Sequence, residues 1–165
     1  IKLLRKISLL KNFIALKEDT KINNYTKKII KNTKKNFNII TSGGGKKQWM
    51  LFSRDGCPAW LSGISCIDPK VGIIFFKLYN QKKYQECKKL IKFIEDPFFK
   101  TKDKYGWHLT IKGSLEILNL MKRYERLPMA ELNSIQMKDI RKMVKLLISN
   151  SNKYFKNYDF FNFNN

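Results

Sequence analysis

Apolar residues recur at steps of three and four along several stretches of the chain, a spacing that predicts amphipathic helices. One such stretch covers residues 3–16, and a second, rich in lysine, covers 20–35. A third covers 84–94, and a fourth covers 114–123 with Ser114 in position to cap it. Residues 71–78 are almost continuously apolar and fit either a helix or a buried strand.

Short runs rich in aromatic and β-branched residues predict strands between these helices. They are 37–41, 48–52, 98–100, 107–111, 132–136 and 145–149. A short helix is predicted between the last two, at 137–144. Because helices and strands mix within one span and no internal repeat is visible, we expect a small α+β fold with a basic surface. We divide it into a basic N-terminal part (1–69), an α+β core (70–155) and a tail rich in aromatic residues and Asn (156–165).

The composition changes this picture chiefly through its charge. The 165 residues include 34 Lys and Arg against 13 Asp and Glu, a formal net charge of +21, and 43% are hydrophobic. That hydrophobic content is too high for a disordered polycation, and no apolar run approaches the ~18 residues of a membrane span. The basic excess is present in every third of the chain and is largest in residues 1–50, with 13 basic and 2 acidic residues. The partner indicated is a polyanion, with no membrane.

The residues that usually carry catalysis are scarce. His108 is the single histidine, so patterns that need two are excluded. Cys57, Cys66 and Cys87 are too far apart for a CxxC pair, which argues against a zinc site and a disulfide framework. The adjacent acidic pairs, Glu18-Asp19 and Glu95-Asp96, are assigned to helix ends and turns. We therefore expect no enzyme, no catalytic residue, no metal or other cofactor, and no small-molecule substrate.

Ser42-Gly43-Gly44-Gly45 is the strongest break in the chain, and Lys46 and Lys47 follow it directly. The segment lacks the first Gly and the hydroxyl residue of a Walker A loop, so a nucleotide site is not predicted. Bare backbone amides followed by two ammonium groups suit a nucleic-acid phosphate, while a solvated loop explains the composition equally well.

The C-terminal half is similar to a known family. A Lys112-Gly113 pair precedes a helix, 122–128 has the sequence KRYERLP, and 146–153 has the sequence LLISNSNK. In order and spacing these segments resemble the eighth protein of the bacterial-type small ribosomal subunit, over about residues 70–155. The resemblance implies an α+β fold whose C-terminal half binds ribosomal RNA through a basic turn and a hydroxyl-rich loop.

Carried onto this chain, the resemblance and the Gly-rich turn give nine expected RNA contacts. They are Lys46, Lys47, Lys122, Arg123, Arg126, Ser149, Asn150, Ser151 and Lys153. The expected function is that of a structural constituent of a mitochondrial ribosome, located in mitochondria and bound to ribosomal RNA and neighbouring ribosomal proteins.

Two other functions fit parts of the sequence. Residues 107–113, WHLTIKG, resemble the entry to the closing helix of winged-helix DNA-binding modules, for which 84–94 would serve as the recognition helix. An accessory subunit of an organellar membrane complex is the other alternative. Co-sedimentation with a ribosomal subunit, tested before and after ribonuclease treatment, would distinguish them.

Overall fold

The structure, a computed structural model, describes residues 1–156, and the chain divides into two compact units between Ser62 and Gly63. The tail predicted at 156–165 lies outside the described residues except for Lys156. None of the described helices combines the length and the apolar content needed to cross a membrane.

The first unit alternates helices and strands. Its elements in chain order are α1 (Lys2–Ser8), β1 (Ala15–Glu18), α2 (Asn23–Asn32), β2 (Asn38–Thr41), α3 (Gly45–Phe52) and β3 (Ala59–Trp60). The three strands form one parallel sheet in the order β1-β2-β3. A parallel pair needs a crossover connection, and α2 and α3 supply the two crossovers.

The second unit contains only helices among its described residues. A 3₁₀ turn (Gly63–Cys66) leads into α4 (Lys70–Asn80) and α5 (Tyr84–Leu90). A π-helical segment (Ile91–Glu95) joins α5 to α6 (Asp96–Tyr105), and α7 (Trp107–Ile117) and α8 (Ser134–Phe155) follow. Fully buried apolar side chains from these helices form its core, among them Val71, Phe75, Leu90, Ile94, Phe98, Ile140 and Leu147.

Several expectations from the sequence are confirmed in this fold. The helix predicted at 20–35 is α2, the strand at 37–41 is β2, and the ambiguous run at 71–78 lies in α4. The helix predicted at 84–94 consists of α5 and the π-helical segment.

Other predicted elements are wrong, and the prediction of a small α+β fold is wrong as well. The strand predicted at 48–52 is the end of α3, and those at 98–100 and 107–111 lie in α6 and α7. The helix predicted at 3–16 stops at Ser8, and β1 occupies its last positions. Strand propensity of single aromatic and β-branched residues is a weak prior, and packing of a helical face overrides it.

The prediction that differs most from the structure concerns α8. The sequence pattern predicts strands at 132–136 and 145–149 with a short helix between them, whereas one continuous helix covers residues 134–155. Its buried residues, Met137, Ile140, Val144, Leu147 and Ser151, follow one another at steps of three and four without a break. Asn133 caps the helix: its side chain accepts a hydrogen bond from the Gln136 amide, and the Gln136 side chain accepts one from the Asn133 amide. Such a reciprocal cap fixes where the helix begins.

Candidate active site

The parallel sheet of the first unit has one buried face and one more open face. Residues paired in register point to the same side of a parallel sheet, and side chains alternate along each strand. Glu18 is in register with Thr41, and both are almost fully buried. Lys17 is in register with Ile40, which pairs in turn with Ala59. Ile40 and Ala59 are half-buried and Lys17 is exposed, so these three define the open face.

Lys17 lies at the carboxyl end of β1 and carries the only ammonium group on that short strand. Its Nζ atom is 3.2 Å from Oδ2 of Asp19, and the two side chains are 51% and 65% exposed. An ion pair this exposed contributes at most about 1 kcal/mol to stability. The ion pair therefore contributes little to the stability of the fold, but it places a carboxylate within hydrogen-bond distance of the Lys17 amine.

The turn after β2 is built against the end of β1. The Ser42 amide donates a hydrogen bond to the Glu18 carbonyl oxygen, with an N···O distance of 2.9 Å. A Cβ atom at Gly43 would stand 2.0 Å from the carbonyl oxygen of Asp19, so only glycine fits there without movement. The backbone at Asp19 is thus held by the neighbouring strand's turn.

Gln48 of α3 fixes the same region from the other side. Its side-chain nitrogen donates to the carbonyl oxygen of Thr20 at 3.0 Å and to the hydroxyl of Thr26 at 3.2 Å. Its side-chain oxygen accepts a hydrogen bond from the Gly44 amide at 3.1 Å. Gln48 is almost fully buried, and its amide connects the loop after β1 to the turn after β2.

Lys46 is a second lysine beyond the carboxyl end of β2, but its environment is different. Its side chain is fully buried, and its Nζ atom donates to the Ser62 hydroxyl at 3.1 Å. The same nitrogen lies 5.8 Å from the ring centroid of Trp60. The ammonium group of Lys46 is therefore enclosed, whereas the side chain of Lys17 is 51% exposed.

Cys57 is a buried thiol of the first unit, and its raised pKa argues against a role as a nucleophile. Burial, followed by the charges of Asp55 and Glu18, raises the pKa of the Cys57 thiol to about 11. The thiolate is the reactive form, so Cys57 is inert near neutral pH. Its neighbour Glu18 accepts a hydrogen bond from the Thr20 amide at 2.8 Å, which assigns that carboxylate to the loop.

The residues expected to bind RNA are distributed over different elements. Lys46 and Lys47 belong to α3, and Lys46 is buried while Lys47 is exposed. Lys122, Arg123 and Arg126 lie in the segment between α7 and α8. Arg123 pairs with Glu116, and its amide donates to that carboxylate at 2.8 Å.

The four expected contacts nearest the C-terminus lie inside α8 and form no loop. The Ser151 hydroxyl is buried and donates to Asp68, and the Asn150 side-chain nitrogen donates to the Phe93 carbonyl oxygen at 2.8 Å. Ser149 and Lys153 are exposed on the helix. The hydroxyl-rich loop that the ribosomal resemblance implies is therefore a helix here.

Sequence reasoning missed Lys17 and Asp19, because the helical spacing of residues 3–16 was extended over the start of β1. The sequence pattern assigns the acidic pair Glu18-Asp19 to a turn, and the Glu18 side chain does accept a hydrogen bond from the Thr20 amide there. The signal that was present is the run Ala15-Leu16-Lys17-Glu18, followed after one crossover by Asn38-Ile39-Ile40-Thr41. Two short strands around one helix are the pattern of a parallel sheet.

Comparison with known proteins gives no match to a family model and none to a curated protein sequence. Solved structures do match. The 4-hydroxy-tetrahydrodipicolinate synthase of Methylacidiphilum fumariolicum is 19% identical with a TM-score of 0.78, over 95% of this chain and 51% of that one. A dihydrodipicolinate synthase of Bacillus anthracis is 14% identical with a TM-score of 0.76, over 87% and 48%. That of Agrobacterium tumefaciens is 18% identical with a TM-score of 0.72, over 88% and 50%.

These similarities overturn the ribosomal assignment. The matched structures are enzymes with the TIM-barrel fold, so the resemblance to a small-subunit ribosomal protein and the structural role in translation are wrong. The expectations of no enzyme, of no small-molecule substrate, and of ribosomal RNA and ribosomal proteins as partners are contradicted as well. The winged-helix and membrane-complex alternatives lose their support too. The mitochondrial location stays a prediction.

The physical reason for the error is that a strong positive charge indicates an anionic partner but says nothing about fold. The chain spans about half the length of the solved structures it matches. Its three parallel strands alternate with helices as the strands of a TIM barrel do. The fold of this chain is that of the corresponding half of the barrel synthases.

Proposed function

We propose that this chain carries the imine-forming lysine of an enzyme that joins a 2-oxo acid to an aldehyde by an aldol-type reaction, with Lys17 as that lysine. The observation that carries the proposal is the position of Lys17. It lies at the carboxyl end of a parallel strand, on the open face of the sheet, in a fold whose matched structures are synthases. Catalytic groups of TIM barrels come from the carboxyl ends of the strands.

The named product of one matched enzyme supports the reaction type. Dipicolinate is a pyridine ring with a carboxylate on each carbon beside the nitrogen, and the 4-hydroxy-tetrahydro form has a hydroxyl on the ring carbon opposite the nitrogen. That hydroxyl is β to a carbon that bears both nitrogen and a carboxylate. A β-hydroxy arrangement is what an aldol addition leaves, and the carbon bearing nitrogen and carboxylate corresponds to the oxo carbon of a 2-oxo acid.

A lysine amine is suited to start such a reaction. The Nζ atom attacks the oxo carbon, water leaves, and an iminium ion forms. The positive nitrogen then withdraws electrons, so that a proton is lost from the neighbouring carbon and an enamine results. The enamine carbon forms a bond to the aldehyde carbon, and the aldehyde oxygen takes up a proton to become a hydroxyl group. Hydrolysis of the iminium ion that this addition regenerates then releases the product and restores Lys17. This chemistry needs no metal ion or other cofactor.

The second lysine of this region is less suited to that role. Lys46 is fully buried and bound to Ser62, so its amine cannot meet a substrate without leaving that hydrogen bond. The Lys17 side chain is 51% exposed, and the carboxylate of Asp19 that it contacts is exposed as well, so a substrate can reach the amine. The difference in accessibility selects Lys17.

Reductive trapping tests the proposal. Pyruvate, the simplest 2-oxo acid with a removable α-proton, is incubated with the purified chain and sodium borohydride, and the modified lysine is located by mass spectrometry of the peptides. We expect the reduced pyruvate adduct on Lys17. Lys17→Ala should abolish the adduct, and Lys47→Ala, which removes an exposed lysine of α3, should leave it unchanged. An adduct spread evenly over the surface lysines would contradict the proposal.

A further inference from the structure

We propose that Asp19 is the acid–base catalyst that carries protons during imine formation at Lys17. This inference rests on the proposed function, since it assigns a role within the reaction of that lysine. The observation behind it is the 3.2 Å separation between Oδ2 of Asp19 and Nζ of Lys17, which places a proton carrier on the reacting atom itself.

The backbone that carries the Asp19 carboxylate is held in place on three sides. The Asp19 carbonyl oxygen lies against Gly43, where a Cβ atom would be only 2.0 Å away. On either side, the Glu18 carbonyl accepts from the Ser42 amide at 2.9 Å, and the Thr20 carbonyl accepts from the Gln48 side chain at 3.0 Å. Three consecutive carbonyl groups are therefore fixed by the turn after β2 and by α3. The backbone position of Asp19 is therefore fixed, although its side chain is exposed to solvent.

Asp19 is better placed than Glu18, the other carboxylate at the end of β1, to exchange protons with the Lys17 amine. Glu18 is only 5% exposed, and its side chain accepts a hydrogen bond from the Thr20 amide. It belongs to the buried face of the sheet, on the opposite side from Lys17. Asp19 alone of the two has its carboxylate against the Lys17 amine.

Asp19 carries two protons in succession while the imine forms. Asp19 takes a proton from the Lys17 ammonium, and the freed amine attacks the oxo carbon, whose π electrons move to the oxygen. Asp19 returns the proton to that oxygen, which gives a carbinolamine with a hydroxyl group. Asp19 then takes a second proton from the nitrogen and delivers it to the hydroxyl, so that the C–O bond breaks, water leaves, and the nitrogen lone pair forms the C=N bond. The products are the iminium ion, one water molecule and the original carboxylate.

The same carboxylate also faces the iminium ion once it has formed. A negative charge about 3 Å from the reacting nitrogen favours the positive intermediate over the neutral carbinolamine. Asp19→Asn keeps the size of the side chain but removes both the charge and the ability to carry a proton.

The test is the rate of adduct formation with pyruvate and cyanoborohydride, followed over time at Lys17 by mass spectrometry. We expect Asp19→Asn to slow labelling of Lys17 by about 100-fold or more, the usual contribution of a positioned acid–base group. Asp19→Glu should recover most of the rate, and Asp55→Asn, which removes an exposed carboxylate from the loop before β3, should match the wild type. Far-UV circular dichroism checks that each variant is folded.

Chemical rescue separates catalysis from a merely structural role. In Asp19→Ala, formate can diffuse to the place of the missing carboxylate, so we expect the labelling rate to rise with formate concentration, while the wild-type rate stays constant. A wild-type rate in Asp19→Asn, or a slow Asp19→Ala that formate does not accelerate, would overturn the role of Asp19. Failure of the wild-type chain to label Lys17 at all would instead overturn the proposed function, and the role of Asp19 with it.

Discussion

Gly43 lies so close to Asp19 that a single added carbon at Gly43 would stand 2.0 Å from the Asp19 carbonyl oxygen. The obstacle is backbone and not the end of a flexible side chain, so relief requires the two loops to separate. The contact links the turn after β2 to the residue that faces Lys17.

Gly43→Ala is therefore expected to destabilise the protein by about 1–3 kcal/mol, the usual cost of forcing a carbon into a closely packed site. Urea unfolding followed by circular dichroism measures the change. Gly72→Ala in α4 is the matched control, because its added carbon would meet only the Ser65 hydroxyl, at 3.0 Å. Equal stabilities of the two variants would contradict the close approach at Gly43.

The three thiols are expected to differ in reactivity. Burial raises the pKa of both Cys57 and Cys87 to about 11, so these thiols stay protonated at pH 8. Cys66 is exposed. We expect Ellman's reagent to react rapidly with one thiol per native chain, and with all three in urea. Cys66→Ser should remove the rapid phase, and a rapid phase that survives this substitution would show that one of the buried thiols is accessible.

Asp139 of α8 is expected to make stability depend on acid pH. Hydrogen bonds from Lys104, at 2.8 Å, and from Tyr105, at 2.6 Å, lower the pKa of Asp139 below its ordinary value of 3.8. Since the folded-state pKa is lowered, this stabilisation is complete above the unfolded value and is lost as the pH falls through the folded one.

Asp139→Asn should consequently flatten the dependence of the unfolding free energy on pH below about pH 4. Urea unfolding at a series of pH values measures this slope. Lys104→Met removes the other partner and should flatten the slope in the same direction. If the slope were unchanged in both variants, the interaction would have no effect on stability in solution.

The start of α8 depends on the reciprocal cap between Asn133 and Gln136. The two hydrogen bonds have lengths of 2.8 and 2.9 Å and satisfy amide groups that the helix itself leaves unpaired. Asn133→Ala is expected to cost about 1 kcal/mol of stability. Asn152→Ala, an exposed change within the same helix, should cost nothing, because alanine favours helix. A difference of zero between the two variants would argue against the cap.

The sequence was a good guide where one face of a helix repeats clearly. Residues 84–94 are an example, with Cys87, Leu90 and Ile94 buried at steps of three and four. It was a poor guide where aromatic residues cluster. Phe98 and Trp107 suggested strands, but their rings are 5.8 Å apart and pack α6 against α7. A pattern along the chain cannot reveal which neighbour a ring will meet.

The candidate site was missed for a different reason. β1 has four residues, too few to show an alternation of apolar and polar positions. Lys17 is also one lysine among many, and only the parallel pairing of β1 with β2 shows that it stands at a strand end on the open face. The role of Asp19 depends on a distance between atoms, which composition and spacing do not contain.

The order of the strands in the sheet is also their order along the chain, β1-β2-β3, with each strand paired to the next. Ala15 pairs with Asn38, and Ile40 pairs with Ala59, so each pairing closes a loop of only some twenty residues. The entropy lost in closing a loop grows with its length, and folding rates fall as contacts become more distant in sequence. No strand has to be inserted between two others. This unit can accordingly assemble from its N-terminus onward during synthesis, each new strand completing a crossover as soon as it is made.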